Sequence, residues 1–356
     1  MIALIIFIFI LSVIIIIHEL GHFMAAKKTG VRVEQFSLGF GPRLFKKKKQ
    51  DTEYSISAIP LGGFVKFSGD NPEEYTGKSY EYLSKSPGQR FQIIFLGPFL
   101  NYVLGFLCFW IIFFAGYPTF TTKVGGLLDG FGAREAGLQV GDKITAIDGE
   151  KVAFWEDLQN IIQSKEQPSK VKLSILRDNK EFTVDVQIKE KESGGRPGHK
   201  RKVGLLGIAP SDEIVKVRHG FFESFLLGIK KTWSLTALTY KSLWHMVTGK
   251  ISIRESVTGP LGIFDITSKA ASLGIIAVLH LVAVLSISLG IFNLLPLPVL
   301  DGGHILLLGI EKIRGRALGI KAERVITQIG VTLIVSLAVF VTYNDILRLF
   351  GDKVLR

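Results

Sequence analysis

Cysteine is almost missing from the 356-residue chain. The single one, Cys108, excludes an intrachain disulfide and any zinc site built from several thiolates. It sits in an apolar run, which suits packing rather than chemistry. Basic residues are missing from the start of the chain. Met1 alone precedes an apolar run from Ile2 to Ile17, broken only by Ser12, and no A-x-A cleavage pattern follows. That argues for a retained first span and against a cleaved signal peptide. Internal repeats are missing too, which counts against the duplicated halves of many transporters. Acids are outnumbered, 31 against 43 Lys and Arg, for a formal net charge of +12. The bases gather in short stretches beside apolar runs, a pattern of membrane orientation and not of nucleic-acid binding.

What is present is apolar surface. A mean hydropathy of +0.35 is too high for an ordinary soluble domain, while 21% charged residues is too many for a bare membrane bundle. Four stretches, near 2–24, 91–115, 272–292 and 325–347, meet the need for about 20 apolar residues per span. Lys27, Lys28, Arg32, Arg43 and Lys46–Lys49 follow the first, and Lys312, Arg314, Arg316, Lys321 and Arg324 follow the third. Both loops are therefore expected in the cytoplasm. The charge-balanced 117–216 segment and both termini are expected outside.

Between the first two spans, "VEQFSLGF" and "EYSISAIPLGGFVKF" alternate with period two around a basic tip at Lys46–Asp51. That pattern predicts a β-hairpin within 32–67, which either dips into the membrane against protein or forms a small cytoplasmic sheet. Residues 121–190 combine alternating strands, an amphipathic "FWEDLQNIIQ" and Gly-Asp and Asp-Gly turns. The charged "KEKESGGRPGHKRK" at 189–202 reads as a tether, and 217–250, with Trp233 and Trp244, as an interfacial amphipathic helix. The fold class is then a polytopic α-helical membrane protein of about four transmembrane helices, with a membrane-associated β-hairpin and an inserted α+β domain. Its parts are a membrane half at 1–115, the insert at 116–190, linker and interfacial segment at 191–250, and a second membrane half at 251–356.

The chemistry lies in "HELGH", residues 18–22, at the end of the first apolar run. His18 and His22 are four apart and share a helix face, so both imidazoles reach one metal. Glu19 is rotated by about 100° from His18, close enough to take a proton from activated water without ligating. Ionisable groups at membrane depth cost a few kcal/mol each and need a partner or a cavity. A catalytic zinc site wants three protein ligands, so a third is needed at the same depth. "NLLPLPVLDGGH", 293–304, follows the third apolar run. Pro296 and Pro298 break the helix, and Gly302 and Gly303 permit unusual dihedrals and close approach. Asp301 is the first candidate for the third ligand, and His304 is its rival. Asn293 could hold substrate backbone or an oxyanion, or simply cap the broken helix.

These motifs, with "GFGP" (39–42), "PLGGFVKFSG" (60–69), "LGPFLN" (96–101) and "GPLGI" (259–263), occur in the order found in bacterial site-2 proteases. Over almost its full length the chain resembles that family of intramembrane zinc metalloproteases, of the RseP type. The resemblance implies one Zn2+ per chain on His18, His22 and Asp301, with Glu19 as base. It implies that the hairpin, with Gly62 and Gly63, offers an edge strand to substrate, and that Asn293 and Pro296 clamp substrate near the metal. It makes the insert PDZ-like, with a groove between a strand near Gly125–Leu128, Gly125, Gly126 and Leu127 above all, and the helix at 155–163. There is room for one such domain, where some relatives carry two. Implied partners are transmembrane substrates such as anti-sigma factors or remnant signal peptides, an upstream site-1-type protease, and membrane lipid, with no nucleic acid. The implied location is the bacterial inner membrane, insert outside and active site toward the cytoplasm. A PDZ-bearing membrane adaptor with a structural metal is the competing class, and an unligated Glu19 argues against it.

The Lys/Arg asymmetry is directly testable. In a Cys108-free background, Lys165→Cys should react with an impermeant thiol reagent in intact cells and Lys48→Cys should not. Labelling of Lys48→Cys from outside would reverse the topology.

Overall fold

The computed structural model describes residues 2–165, 169–193, 201–252, 257–316 and 319–354. It separates into two units, Met1–Ile112 with Phe221–Arg356, and Phe113–Gly220. In the first unit, α1 (Ile2–Lys28) buries one stripe, Phe7, Ile10, Ile14, His18, Gly21, His22 and Ala25, at helical spacing. Its other side leaves Ile2, Ile5 and Phe9 exposed, as lipid contact requires. The second helix, α2 (Pro87–Ala115), packs backbone to backbone on α1. A Cβ on Gly21 would fall 2.3 Å from Leu96 O, and one on Gly97 would fall 2.3 Å from His22 Nε2. Small residues thus set the helix separation, as between membrane helices generally.

The hairpin forms as expected. Strand β1 (Val33–Lys49) pairs antiparallel with β2 (Thr52–Phe67) across a turn with Gln50 at φ 54°. Both strands fold back on themselves. Phe36 lies opposite Val65 on one side and Tyr54 on the other, so the start of β1 is central. Among the described residues no other strand pairs with Gly63–Phe67, which is left as an edge.

After the inserted unit come α5 (Phe221–Val247), α6 (Pro260–Leu273), α7 (Ile275–Asn293), α8 (Asp301–Arg314) and α9 (Ile320–Val354). Among the described residues, four helices are long and apolar enough to cross a membrane: Ile2–Lys28, Pro87–Ala115, Ile275–Asn293 and Arg324–Leu347. These are the four stretches read from the sequence. Helix α5 is not among them, and its Trp233 and Trp244 are exposed. Asp345 of α9 is buried and accepts hydrogen bonds from the Gly259 and Gly262 amides at 3.1 and 2.9 Å. This carboxylate caps the N-terminus of α6, where the helix dipole favours negative charge.

The second unit holds a five-stranded sheet, in the order β6 (Glu150–Lys151), β5 (Lys143–Ile147), β7 (Ser169–Arg177), β8 (Lys180–Ser193), β9 (Arg201–Leu205). Short ribbons pair β3 (Tyr117–Phe120) with β11 (Ile214–Val217) and β4 (Val124–Leu127) with β10 (Ile208–Pro210). Ile144, Ile147, Leu173, Ile175, Val186 and Ile188 fill the core with Ala133 of α3 (Gly132–Glu135) and Leu158 and Ile162 of α4 (Trp155–Ser164).

One expectation is corrected here. The tether at 189–202 is partly sheet: Lys189 lies opposite Leu205 and Ser193 opposite Arg201, while 194–200 lie outside the described residues. The strand was hidden because its dense charge lacks an apolar alternation, but Leu206 just beyond it is buried in the core. Strands β9–β11 therefore belong with the insert and not with a linker. Helix α4 borders a groove. Its cavity is lined by Leu128, Trp155, Leu158, Ile162 and the Gly204–Ile208 segment, without Gly125, Gly126 or Leu127. Strand β4 is already paired with β10, and a Cβ on Gly125 would meet Pro210 O at 2.3 Å.

Asp142 ties this unit together. Its side chain is 1% exposed, takes Arg177 Nε and Nη2 at 2.7 Å each, and accepts the Gln139 amide at 2.8 Å. Burial opposes its charge, but Arg177 and the Gln139 amide override it and hold the carboxyl below its ordinary value. A depressed folded value stabilises above the unfolded pKa of about 3.9, and this contribution fades as pH falls through the folded value. Asp142→Ala should therefore destabilise the unit by about 1–2 kcal/mol at neutral pH and weaken its acid sensitivity, the low end of charged hydrogen bonds because Arg177 is partly exposed. Hydrogen exchange of β5 and β7 amides in the full chain reads both effects.

Candidate metal centre

The stripe that α1 buries carries His18 and His22 to the α2 face, one turn apart. The third group arrives from the other end of the chain. Helix α7 stops at Asn293, and α8 begins at Asp301 after an irregular turn. Within that turn Val299 has φ 77°, a strained conformation for a β-branched residue. The two glycines after Asp301 serve close approach and not unusual dihedrals. Cβ atoms there would come within 2.3 Å of Leu294 O and 2.2 Å of Leu297 O, so the turn folds directly onto the helix start.

Three ligand atoms meet as a result. His18 Nε2 and His22 Nε2 are 3.1 Å apart, and Asp301 Oδ2 lies 3.2 Å from the first and 3.6 Å from the second. Among the described residues, these three form the one group of His, Cys, Asp or Glu able to hold a metal. Donors bound tetrahedrally at about 2.0–2.2 Å from zinc lie about 3.3–3.6 Å from one another, so the spacing fits. Two further observations agree. Asp301 Oδ2 is buried without a hydrogen-bond partner, an acceptor whose desolvation is otherwise uncompensated. His22 Nδ1 lies 2.9 Å from Ile93 O, so it donates there and leaves the Nε2 lone pair facing the cluster.

A cavity of about 550 Å³ opens beside these atoms. Glu19, Asn293 and His304 line it. Asn293 Nδ2 is 3.5 Å from His18 Nε2. His304 is exposed and lies outside the metal-ligating group, which Asp301 joins instead. Gly63 abuts Glu19, since a Cβ there would sit 3.3 Å from Glu19 Cγ. Gly62 (φ 145°) packs on the Phe40 ring, and Pro296 is exposed; neither lines the cavity.

Several lining residues had no signal in a linear reading. Phe64, Val65 and Phe67 bring the free edge of β2 to the cavity. Arg90 pairs with Glu311, joining the start of α2 to α8. Asp70 also lines the cavity. Burial pushes its carboxyl above the ordinary range, against the Phe67 amide that it accepts at 3.1 Å. Asn101, fully buried, lies with Nδ2 3.2 Å from His18 Nδ1. The signal for Asn101 was available, since a polar side chain in an apolar span calls for a partner.

Known proteins share sequence with this chain over most of its length. Residues 6–337 match the family model of Peptidase family M50. The zinc metalloprotease RasP of Bacillus licheniformis is 31% identical over 425 residues, covering 97% of this chain and 98% of its own length. The regulator of sigma-W protease RasP of Bacillus subtilis is 30% identical, covering 97% and 98%. Among solved structures, the PDZ domain of an SdrC-like protein from Listeria monocytogenes is similar over 26% of this chain and 87% of that one, at 23% identity and a TM-score of 0.20.

The two rivals for third ligand separate by metal analysis. Asp301→Ala should lose most of the bound zinc, while His304→Ala should retain it. Full zinc content in Asp301→Ala would shift the assignment to His304.

Proposed function

We propose that this chain, which belongs to peptidase family M50 and is a zinc metalloprotease, cleaves single-span membrane proteins within the bilayer. The carrying observation is that His18, His22 and Asp301 converge beside Glu19, on and between helices apolar enough to cross a membrane. In this reading His18, His22 and Asp301 hold one Zn2+ per chain. Zinc supplies Lewis acidity there, polarising a carbonyl and acidifying water.

The chain's own residues do the rest. Glu19 takes the proton of the attacking water and returns it to the leaving amine. Asn293, 3.5 Å from His18 Nε2, is near enough to donate to the oxygen that gains charge at the scissile carbonyl. A transmembrane helix keeps its carbonyls in hydrogen bonds, so a substrate must unwind before it is cut. The unpaired edge at Gly63–Phe67, three of whose side chains line the cavity, offers replacement bonds by strand addition. The hairpin then works as a membrane-associated substrate platform. Gly62 and Gly63 shape it, while Pro296 stiffens the facing segment.

The Lys/Arg pattern supports a multi-pass protein of the bacterial cytoplasmic membrane, with 121–190 outside and the metal open to the cytoplasmic side. The membrane halves, 1–115 and 251–356, carry every proposed catalytic group, which leaves the inserted unit a regulatory part as a PDZ-like domain. The Bacillus subtilis relative is named a regulator of sigma-W protease, which supports anti-sigma-type substrates, and remnant signal peptides have the same single-span chemistry. Prior trimming by a site-1-type protease would suit a substrate whose outer part must go first. Lipid is the remaining partner. The adaptor alternative leaves Glu19 without a task.

Glu19→Gln should keep the fold and the zinc while slowing cleavage of a model single-span substrate by about 10²- to 10⁴-fold. Cleavage at the wild-type rate by a zinc-loaded Glu19→Gln protein would sink the mechanism.

A further inference from the structure

Each imidazole of the cluster has a second nitrogen, and α2 faces both. His22 Nδ1 is met by a main-chain carbonyl, Ile93 O, at 2.9 Å. His18 Nδ1 is met by a side chain, the Asn101 carboxamide, at 3.2 Å. Asn101 is 0% exposed, and its main-chain oxygen accepts Ser286 Oγ of α7 at 2.9 Å, so its backbone is pinned between two helices. Its Oδ1 is buried with no hydrogen-bond partner.

The chemistry of an imidazole decides how these atoms must pair. A histidine that gives the Nε2 lone pair to a metal carries its proton on Nδ1, and that proton needs an acceptor. The Asn101 nitrogen cannot serve, because an amide N–H₂ only donates. A donor at Nδ1 selects the other tautomer, with the proton on Nε2, where it blocks ligation. The carboxamide has one acceptor, the unpartnered Oδ1, and its two ends exchange by rotation about the last side-chain bond.

We infer that Asn101 is a positioning residue for the metal centre: its Oδ1 accepts the His18 Nδ1 proton and holds His18 in the tautomer that ligates through Nε2. The inference rests on the zinc reading and deepens it. It also gives the "LGPFLN" motif a task beyond packing. Gly97 lets α2 approach His22, and one turn later Asn101 orients His18.

The test is zinc affinity of the full-length protein in detergent micelles, measured by competition with a chromogenic chelator. Asn101→Ala, which introduces no bulk, and Asn101→Leu, which keeps the volume, both remove the acceptor. Each should weaken zinc binding by about 10- to 100-fold. Asn101→Asp keeps an acceptor oxygen and no donor, so it should stay within a few fold of wild type, and its Co2+ absorption bands should match the wild-type ones. Wild-type affinity in Asn101→Ala would overturn the inference. So would an Asn101→Asp protein as weak as Asn101→Ala, since the residue would then act as a donor or a filler. His18→Ala is measured in parallel. Zinc retained by His18→Ala would overturn the metal reading itself, whereas zinc lost there but kept in Asn101→Ala would overturn this inference alone.

Discussion

Two imidazoles and a carboxylate share a few ångströms between helices that are otherwise almost wholly apolar, and each needs a partner. At membrane depth an unpartnered ionisable group costs a few kcal/mol, enough to matter against the small net stability of any fold. Mutual proximity alone does not satisfy them, because Asp301 Oδ2 still lacks a donor. A divalent cation would. It would accept both nitrogen lone pairs and neutralise the carboxylate. Much of the membrane unit can be understood as what brings these three groups to one point.

Close approach comes first. His22 can reach Ile93 O because Gly21 and Gly97 let two helix backbones touch where any side chain would collide. The carboxylate is delivered by a broken helix, and the break is tight. The glycines after Asp301 pack on carbonyls of the preceding turn, and Val299 is held at positive φ. Strain at such a position is tolerated when surrounding contacts over-determine it. The Arg90–Glu311 pair, well shielded from solvent, supplies one such contact by fixing α8 against α2.

The hairpin answers a different constraint. Its fold-back makes the start of β1 central and leaves Gly63–Phe67 as the open edge. An open edge is ordinarily a liability, since it invites pairing with other chains. Here it borders the cavity that holds Glu19, where, in the proposed function, pairing with an unwound substrate is the useful outcome. The inserted unit follows the rules of soluble proteins, with its own apolar core and an ion pair between buried Asp142 and partly exposed Arg177.

The sequence by itself determined what depends on local order. Helical period put His18 and His22 on one face, run length marked the four spanning helices, and alternation marked the hairpin down to its basic turn. Prolines at 296 and 298 announced the break before Asp301. Tertiary structure decided what depends on distance between remote segments. It brought Asp301 and not its rival His304, three residues on, to the histidines. It paired the charged strand at 189–193 with 201–205, which no hydrophobic pattern signals. It lined the groove beside α4 with the Gly204–Ile208 segment as well as Leu128, and paired β4 with β10. It also set Asn101 against His18, a contact across 83 positions that exists only because two helices touch at glycine. Periodicity records which face of an element is apolar; which other element meets that face is set by packing, and packing is not written in any one stretch of the chain.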